Sequence, residues 1–230
     1  MKDELTARDF AVLQKNRLFQ GLSGETLQYA LDFFSAVPKR YEKGEFLHRV
    51  GSRMTRFGLV LSGRVQVHMD DIDGNPIIMA NVTEGNTFGE SMCFLEIEEE
   101  PVTICAATGV KVLWLSTEEI KRMPGGGTGN SHSLTLRFIT LLTEKTLAMN
   151  DRIQILSKKS LRGKLIVFFS QCAHQYGSDT FTLPFNRNEM AAYLGADRSA
   201  LSRELAKMQE EGILQFYKEK FRLMKRTEED

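Results

Sequence analysis

The spacing of apolar residues divides the 230-residue chain into stretches of different period. Between residues 6 and 36, Leu18, Phe19, Leu22, Leu27, Ala30, Leu31 and Phe34 fall at helical intervals. Ser23 offers an N-cap and Glu25 an acidic first turn, which predicts short helices. From Val37 to about Glu119 the pattern shortens. The run Phe57 to His68 is rich in aliphatic and β-branched residues, and Arg64-Val65-Gln66-Val67-His68 alternates, placing Val65 and Val67 on one face of a strand. Asp73-Gly74 and Glu84-Gly85-Asn86 read as turns, followed by Ile77-Ile78-Met79 and Val110 to Leu115 as strand material. Short strands with glycines at 44, 51, 58, 63, 74, 85, 89 and 109 predict a sandwich or small barrel. Pro124 to Asn130, PGGGTGN, breaks the pattern and reads as a loop.

From Ser131 to Leu156 the period is helical again. Ile139, Leu142, Thr146, Met149, Ile153 and Leu156 step alternately by three and four, the seam of a two-stranded coiled coil. Packing of this helix on its own domain is the competing reading; a narrow seam on a long helix favours a homodimer. A second helix spans about Leu161–Tyr176, with a stripe of Leu165, Phe168, Phe169 and Cys172. Phe181 to Phe185 reads as a short edge strand, because Pro184 cannot donate to a ladder.

The stretch Asn186–Met208, NRNEMAAYLGADRSALSRELAKM, carries the most chemistry. Asn186 and Glu189 form a capping box, and Phe185 with Met190 a hydrophobic staple. Gly195 suits the left-handed turn after Leu194. Asp197 caps a second helix with Leu201, Leu205 and Met208 inward. Arg198, Ser199, Ser202 and Arg203 are then outward near its start, where a recognition helix presents side chains to base edges. Arg187 and Lys207 are placed for phosphates. Phe216 to Phe221 reads as a hairpin wing with Lys218 and Lys220 at its tip. An αα-hairpin with a solvated face is the bland alternative, but cap, turn glycine, small residue and basic face coincide here.

Charge adds little. Residues 151–230 hold fourteen lysines and arginines against eleven acidic residues, and the first 150 hold sixteen against nineteen. The slight C-terminal excess suits a polyanion partner. Cys93, Cys105 and Cys172 form no C-x-x-C pair, so neither a disulfide framework nor a zinc site is expected. No apolar run reaches membrane-helix length and the first ten residues lack a signal core, so a cytoplasmic protein without a membrane partner is expected. No P-loop, G-x-S-x-G or H-E-x-x-H occurs, and an enzyme is not expected.

These pieces together resemble the CRP/FNR family, the cyclic-AMP receptor protein and fumarate-nitrate regulators. The resemblance rests on Leu18-Phe-Gln-Gly-Leu22, Leu59-Val-Leu-Ser-Gly-Arg-Val65, Gly85-Asn-Thr-Phe-Gly-Glu90 and Gly195-Ala-Asp-Arg-Ser-Ala-Leu-Ser-Arg203. It implies an α+β chain: a cyclic-nucleotide-binding-type β-barrel (jelly roll) over 1–130, a dimerisation helix over 131–157 and a winged helix-turn-helix over 158–230. It further implies a transcription regulator that binds a palindromic operator in double-stranded DNA as a homodimer, under a small-molecule effector, with RNA polymerase a further partner. Ser202 and Arg203 match the family's Ser-Arg pair, but Ser199 stands where a glutamate is usual. A sensor gating another protein, like the kinase regulatory subunits, would lack the recognition helix.

The resemblance places the effector pocket at Phe88, Gly89, Glu90, Ser91, Met92, Cys93, Val102, Thr103, Met149 and Asn150. Cyclic AMP is not expected there. The nucleotide-binding members follow Phe-Gly-Glu with an arginine for the phosphate, whereas this chain has Glu96-Ile-Glu-Glu-Glu100, four carboxylates at the site. No cysteine precedes Cys93, so no iron-sulfur cluster is expected. Haem stays open, with His48, His68, Cys93, His132 and His174 as candidate ligands but no ligand-spaced cluster. Met92 to Leu95 suggest an apolar wall.

Overall fold

The computed structural model describes residues 4–70, 76–122, 129–183 and 186–224. The Asp73-Gly74 turn, most of the Pro124 to Asn130 loop, and Pro184 and Phe185 with the proposed staple therefore lie outside the described residues. Contacts divide the chain into two compact units, Met1–Glu144 and Lys145–Asp230.

The first unit opens with helices α1 (Ala7–Leu13) and α2 (Gly24–Phe33). Thr6 caps α1 and Asp9 returns the bond to the Thr6 N–H, a reciprocal box. Ser23 caps α2 as the sequence predicts. Eight strands follow: β1 (Val37–Tyr41), β2 (Phe46–His48), β3 (Phe57–Ser62), β4 (Arg64–Asp70), β5 (Pro76–Thr83), β6 (Thr87–Phe88), β7 (Thr103–Ala106) and β8 (Val110–Leu115). Helices α3 (Glu90–Leu95) and α4 (Glu118–Arg122) flank the last two. The strands form two antiparallel four-stranded sheets, β1-β8-β3-β6 and β2-β7-β4-β5. That is the sandwich of a jelly roll, as expected from the evenly spaced turns.

Alternation assigns the faces. In the first sheet Tyr41 pairs with Val110, Lys39 with Val112 and Val37 with Trp114; these positions share the inward face of the sheet, with Val37 and Lys39 exposed at its edge, and Trp114 meets the Phe88 ring at 5.5 Å. The other face carries Phe57, Leu59, Lys111, Leu113 and Leu115, and Phe57 packs against Phe34 and Phe138. The twenty-seven-residue helix α5 (Asn130–Leu156) starts on this core through Leu134, Phe138 and Leu141.

Lys111 sits on that outer face, 2 % exposed. Its ammonium donates to the Asp9 carboxylate at 2.7 Å and to the Glu4 carbonyl at 2.7 Å, pinning α1 to β8. Burial pushes the Asp9 carboxyl up, but the bonds from Lys111 and Thr6 outweigh it and hold the group below the usual carboxylate range. Asp9→Ala leaves the ammonium buried without its counter-charge and is expected to cost about 3–5 kcal/mol in thermal or urea unfolding, whereas the double change Asp9→Leu with Lys111→Met should recover most of that.

The second unit contains the end of α5, α6 (Leu161–Tyr176), β9 (Thr180–Thr182), α7 (Arg187–Leu194), α8 (Arg198–Glu210), β10 (Leu214–Tyr217) and β11 (Lys220–Leu223). Strands β10, β11 and β9 form one antiparallel sheet with β9 at its edge. The core holds Leu165, Phe168, Phe169 and Cys172 from α6, Met190, Ala191 and Leu194 from α7, and Leu201, Leu205 and Met208 from α8. Ile155 from the last turn of α5 joins it, fully buried.

Candidate DNA-binding surface and sensing barrel

The turn between α7 and α8 is built from local signals. The Asn186 side chain accepts from the Asn188 and Glu189 N–H groups, and Glu189 accepts from the Asn186 N–H at 2.9 Å. Gly195 then turns the chain in the left-handed region, φ 57°. Here the sequence reading missed a second clamp: Lys164 of α6 donates to the Leu194 carbonyl at 2.9 Å, closing the end of α7. Asp197 opens α8 by accepting from the Ser199 and Ala200 N–H groups at 2.8 and 3.0 Å. Those bonds hold its carboxyl below the ordinary aspartate value.

With Leu201, Leu205 and Met208 turned in, the 3.6-residue period turns Arg198, Ser199, Ser202, Arg203 and Lys207 out, and all five are exposed. An exposed row of guanidinium and hydroxyl groups on the first two turns of a helix can donate to guanine edges and exchange bonds with other bases. Ala191, 4 % exposed, is the small residue that lets the two helices cross.

The wing forms as expected, with Phe216 paired to Phe221 and Tyr217 to Lys220. Lys218 at the tip adopts φ 52°, and both Lys218 and Lys220 are exposed. Arg187, expected to be placed for a phosphate, also has partners within the chain. Its guanidinium lies 5.0 Å from the centroids of both Phe216 and Phe221 and donates to the Lys218 carbonyl at 2.9 Å. Burial lowers its pKa from the ordinary arginine value. Arg187 thus bolts the wing to α7. The aromatic partners that capture it lie some thirty residues downstream, which no local pattern announces.

Along α5 the seam separates into two groups. Ile139, Met149, Ile153 and Leu156 are 51, 66, 61 and 40 % exposed, and Thr146 is exposed too. Leu142 instead packs on the core of the first unit, so part of its surface already has a partner in its own chain. Leu136 and Leu147 add to the exposed apolar surface.

In the barrel, Phe88 is buried and crowds Gly58, where an added Cβ would sit 2.1 Å from the Phe88 ring. Gly89 turns at φ 79° beneath the Met54 sulfur, and Glu90 is buried. Cys93 is buried with its thiol 3.6 Å from Thr117 Oγ1, and burial pushes that thiol up. Val102 is buried, Thr103 accepts from the Val50 N–H, Met92 packs on the core and Ser91 is exposed. Met149 and Asn150 belong to the second unit and are exposed.

The acidic run does not crowd one point. Glu96 faces outward and pairs with Arg53 at 2.6 Å and Lys121 at 2.5 Å; Glu98 and Glu99 are exposed. Only Glu100 turns inward, 1 % exposed. Its Oε1 accepts from the Met54 N–H, and its Oε2 comes within 3.3 Å of His48 Nε2 without hydrogen-bonding alignment. Burial raises the Glu100 carboxyl and lowers the His48 imidazole, so the pair is biased toward two neutral groups.

The signs are opposite. A raised Glu100 contributes stability below the ordinary value of 4.5 and loses it as pH rises through the raised value. A lowered His48 contributes above the ordinary 6.5 and loses it as pH falls through the depressed value. Glu100→Gln, which keeps both hydrogen-bonding ends but no charge, is expected to raise Tm at pH 7–8 by a few degrees, at about 2–4 °C per kcal/mol. The gain should vanish near pH 4, which scanning calorimetry at both pH values checks.

Two domain families match in chain order: the cyclic nucleotide-binding domain over residues 38–124 and the Crp-like helix-turn-helix domain over residues 163–228. The chain belongs to the CRP/FNR family of transcription regulators. The first match spans the sandwich and the second the helix-turn-helix with its wing, so the chain is a regulator with a DNA-binding helix-turn-helix behind a ligand-binding-type barrel. It is 26 % identical over 201 residues to the cyclic AMP receptor protein of Thermus thermophilus, covering 86 % of this chain and 87 % of that one. Solved structures share its fold. DNR from Pseudomonas aeruginosa is 23 % identical with a TM-score of 0.52, covering 97 % of both chains. CLP from Xanthomonas campestris, described as c-di-GMP responsive, is 18 % identical with a TM-score of 0.54, covering 87 % of this chain and 98 % of that one.

Among the described residues no three histidines, cysteines or carboxylates converge as a metal site. His48 faces Glu100, His68 Nε2 lies 3.2 Å from the Cys105 sulfur, and His132 and His174 are exposed. No helix among the described residues is long and apolar enough to cross a membrane.

Proposed function

We propose that this CRP/FNR regulator works in the cytoplasm as a homodimer joined along α5. It reads a palindromic operator with two copies of α8, and it answers to a barrel ligand other than cyclic AMP. One observation carries the reading: Arg198, Ser199, Ser202 and Arg203 stand exposed on the opening turns of a helix whose other face is buried core. Positioning groups surround that row, with Lys207 on the same helix and Lys218 and Lys220 on the wing. The homodimer is supported by the exposed apolar side chains of Ile139, Met149, Ile153 and Leu156 on the α5 seam.

The view on cyclic AMP rests on residues 90–103, which contain no arginine or lysine to receive a phosphate. Glu100, the one carboxyl in the run that turns inward, would repel that anion when ionised. RNA polymerase is proposed as the protein partner of the DNA-bound dimer, and the chain is proposed to have no catalytic activity.

Fluorescence anisotropy on a labelled duplex tests both points. Affinity should fall steeply with salt, with a log-log slope that tracks the number of phosphates contacted. Millimolar cyclic AMP should leave the curve unchanged. A cyclic-AMP-dependent gain in affinity would defeat the second point, and salt-independent or absent DNA binding the first.

A further inference from the structure

Strand register brings a group of side chains together at one end of the sandwich. Tyr41 and Lys39 of β1 and Trp114 of β8 share the inward face of the first sheet. On the second sheet Cys105 and His68 touch each other on the outer face, so the alternate positions Ile104 and His48 point inward. The loop carrying Met54 and Arg56 joins β2 of the second sheet to β3 of the first. Lys39, Tyr41, His48, Met54, Arg56 and Trp114 line an opening of about 290 Å³, near the small end of the ~300–1,000 Å³ found for ligand sites and sized for a one-ring compound.

The walls are aromatic and the rim is cationic. Trp114 donates its indole N–H to Tyr41 Oη at 3.0 Å, fixing both rings. The Lys39 ammonium lies 4.6 Å from the Tyr41 ring centroid and is exposed, so it can swing to a ligand. Arg56 adds a second positive charge while donating to the Ser35 carbonyl. Arg53 is balanced by Glu96, which faces outward. The floor is His48, whose Nε2 has no hydrogen-bond partner, with the equally unpartnered Glu100 Oε2 behind it. Lys39 and Arg56 carry the positive charge of the rim. A flat apolar ligand alone would leave the rim cations unused, and a bare small anion would leave the aromatic walls uncovered.

We propose that this opening between the sheets is a binding site for a small aromatic monocarboxylate, its ring against Tyr41 and Trp114 and its carboxylate on Lys39. The proposal rests on the reading of the first unit as a sensing domain. It deepens that reading by naming a ligand class and a place apart from the Phe88–Glu90 turn.

Trp114 is the only tryptophan in the chain, so its emission reports on the site directly and without DNA. Benzoate titrated into the full-length protein should change the emission saturably, with matching heat in a calorimetric titration. Acetate, which lacks the ring, and benzyl alcohol, which lacks the charge, should each bind at least roughly tenfold more weakly. Lys39→Met, a surface change, should weaken benzoate by about five- to tenfold, the scale of one charge-assisted bond. No saturable signal from benzoate in either measurement would overturn the proposal. Equal binding of acetate or of benzyl alcohol, or an unchanged benzoate affinity in Lys39→Met, would do so too. Because none of these readouts involves an operator, their failure leaves the DNA-binding reading standing, and loss of DNA binding leaves the ligand site standing.

Discussion

Arg203→Ala is expected to lower affinity for the selected operator about 10- to 100-fold at constant salt, while leaving Tm and non-specific DNA binding nearly unchanged. The side chain is exposed on the second turn of α8. An exposed side chain contributes little to the core, so its loss costs the fold little. A guanidinium that donates to a base edge contributes about 1–3 kcal/mol of discrimination. Lys218→Ala should behave differently. In the proposed role its wing-tip ammonium meets phosphate and no base edge, so the change should reduce the salt slope by about one for every sequence equally. Arg187→Ala belongs to neither class. By removing the bolt between Phe216, Phe221 and the Lys218 carbonyl it should loosen the wing and lower stability. Anisotropy on cognate and scrambled duplexes, run beside calorimetry, separates the three. An Arg203→Ala protein with full preference for the operator contradicts the base-reading role.

The second large effect is expected at Met149. Replacing it with glutamate should turn the dimer into a monomer in sedimentation velocity at micromolar concentration and abolish measurable operator affinity. Met149 is 66 % exposed in the single chain, and its neighbours on the seam, Ile153 and Leu156, are likewise uncovered. A carboxylate at this position costs nothing in the monomer. In a coiled-coil seam it would be buried against its twin, at a penalty of about 3–5 kcal/mol. Operator affinity falls with it, because two half-sites bound by one dimer become two independent weak contacts. Ile153→Glu should do the same. Leu142→Glu is a poorer probe, since Leu142 also packs on the core of the first unit and its replacement would damage the barrel. A Met149→Glu protein that still sediments as a dimer would remove the seam from the account.

What could be read from sequence follows the range of the forces. The box between Asn186 and Glu189, the turn at Gly195 and the cap at Asp197 each lie within four residues of what they bond, so their signals survive in a string of letters. The inward rows of α6 and α8 were legible for the same reason, since the 3.6-residue period is local. The sandwich was legible from strand spacing, but not which strands pair: β1 lies beside β8 and β2 beside β7.

Contacts across such separations are where the sequence was silent. Glu100 was one of four carboxylates in five residues. Only the path of the chain sends Glu96 outward to Arg53 and Lys121 and turns Glu100 toward His48, fifty-two residues away. Nothing near Arg187 in the sequence announces its contacts with Phe216, Phe221 and the Lys218 carbonyl. Lys111 and Asp9 are unremarkable charges in the sequence and a buried pair in the fold. Lys39, Tyr41 and Trp114 gained their shared inward face only once the β1–β8 register was known.

Selection of bound duplexes from a random pool by the full-length protein, followed by footprinting on the winners, tests the regulator reading most directly. The account predicts two inverted half-sites with centres about 10–10.5 base pairs apart, protected together on one side of the duplex. A single unrepeated site, half-sites in direct repeat, or a pool that never converges would contradict it.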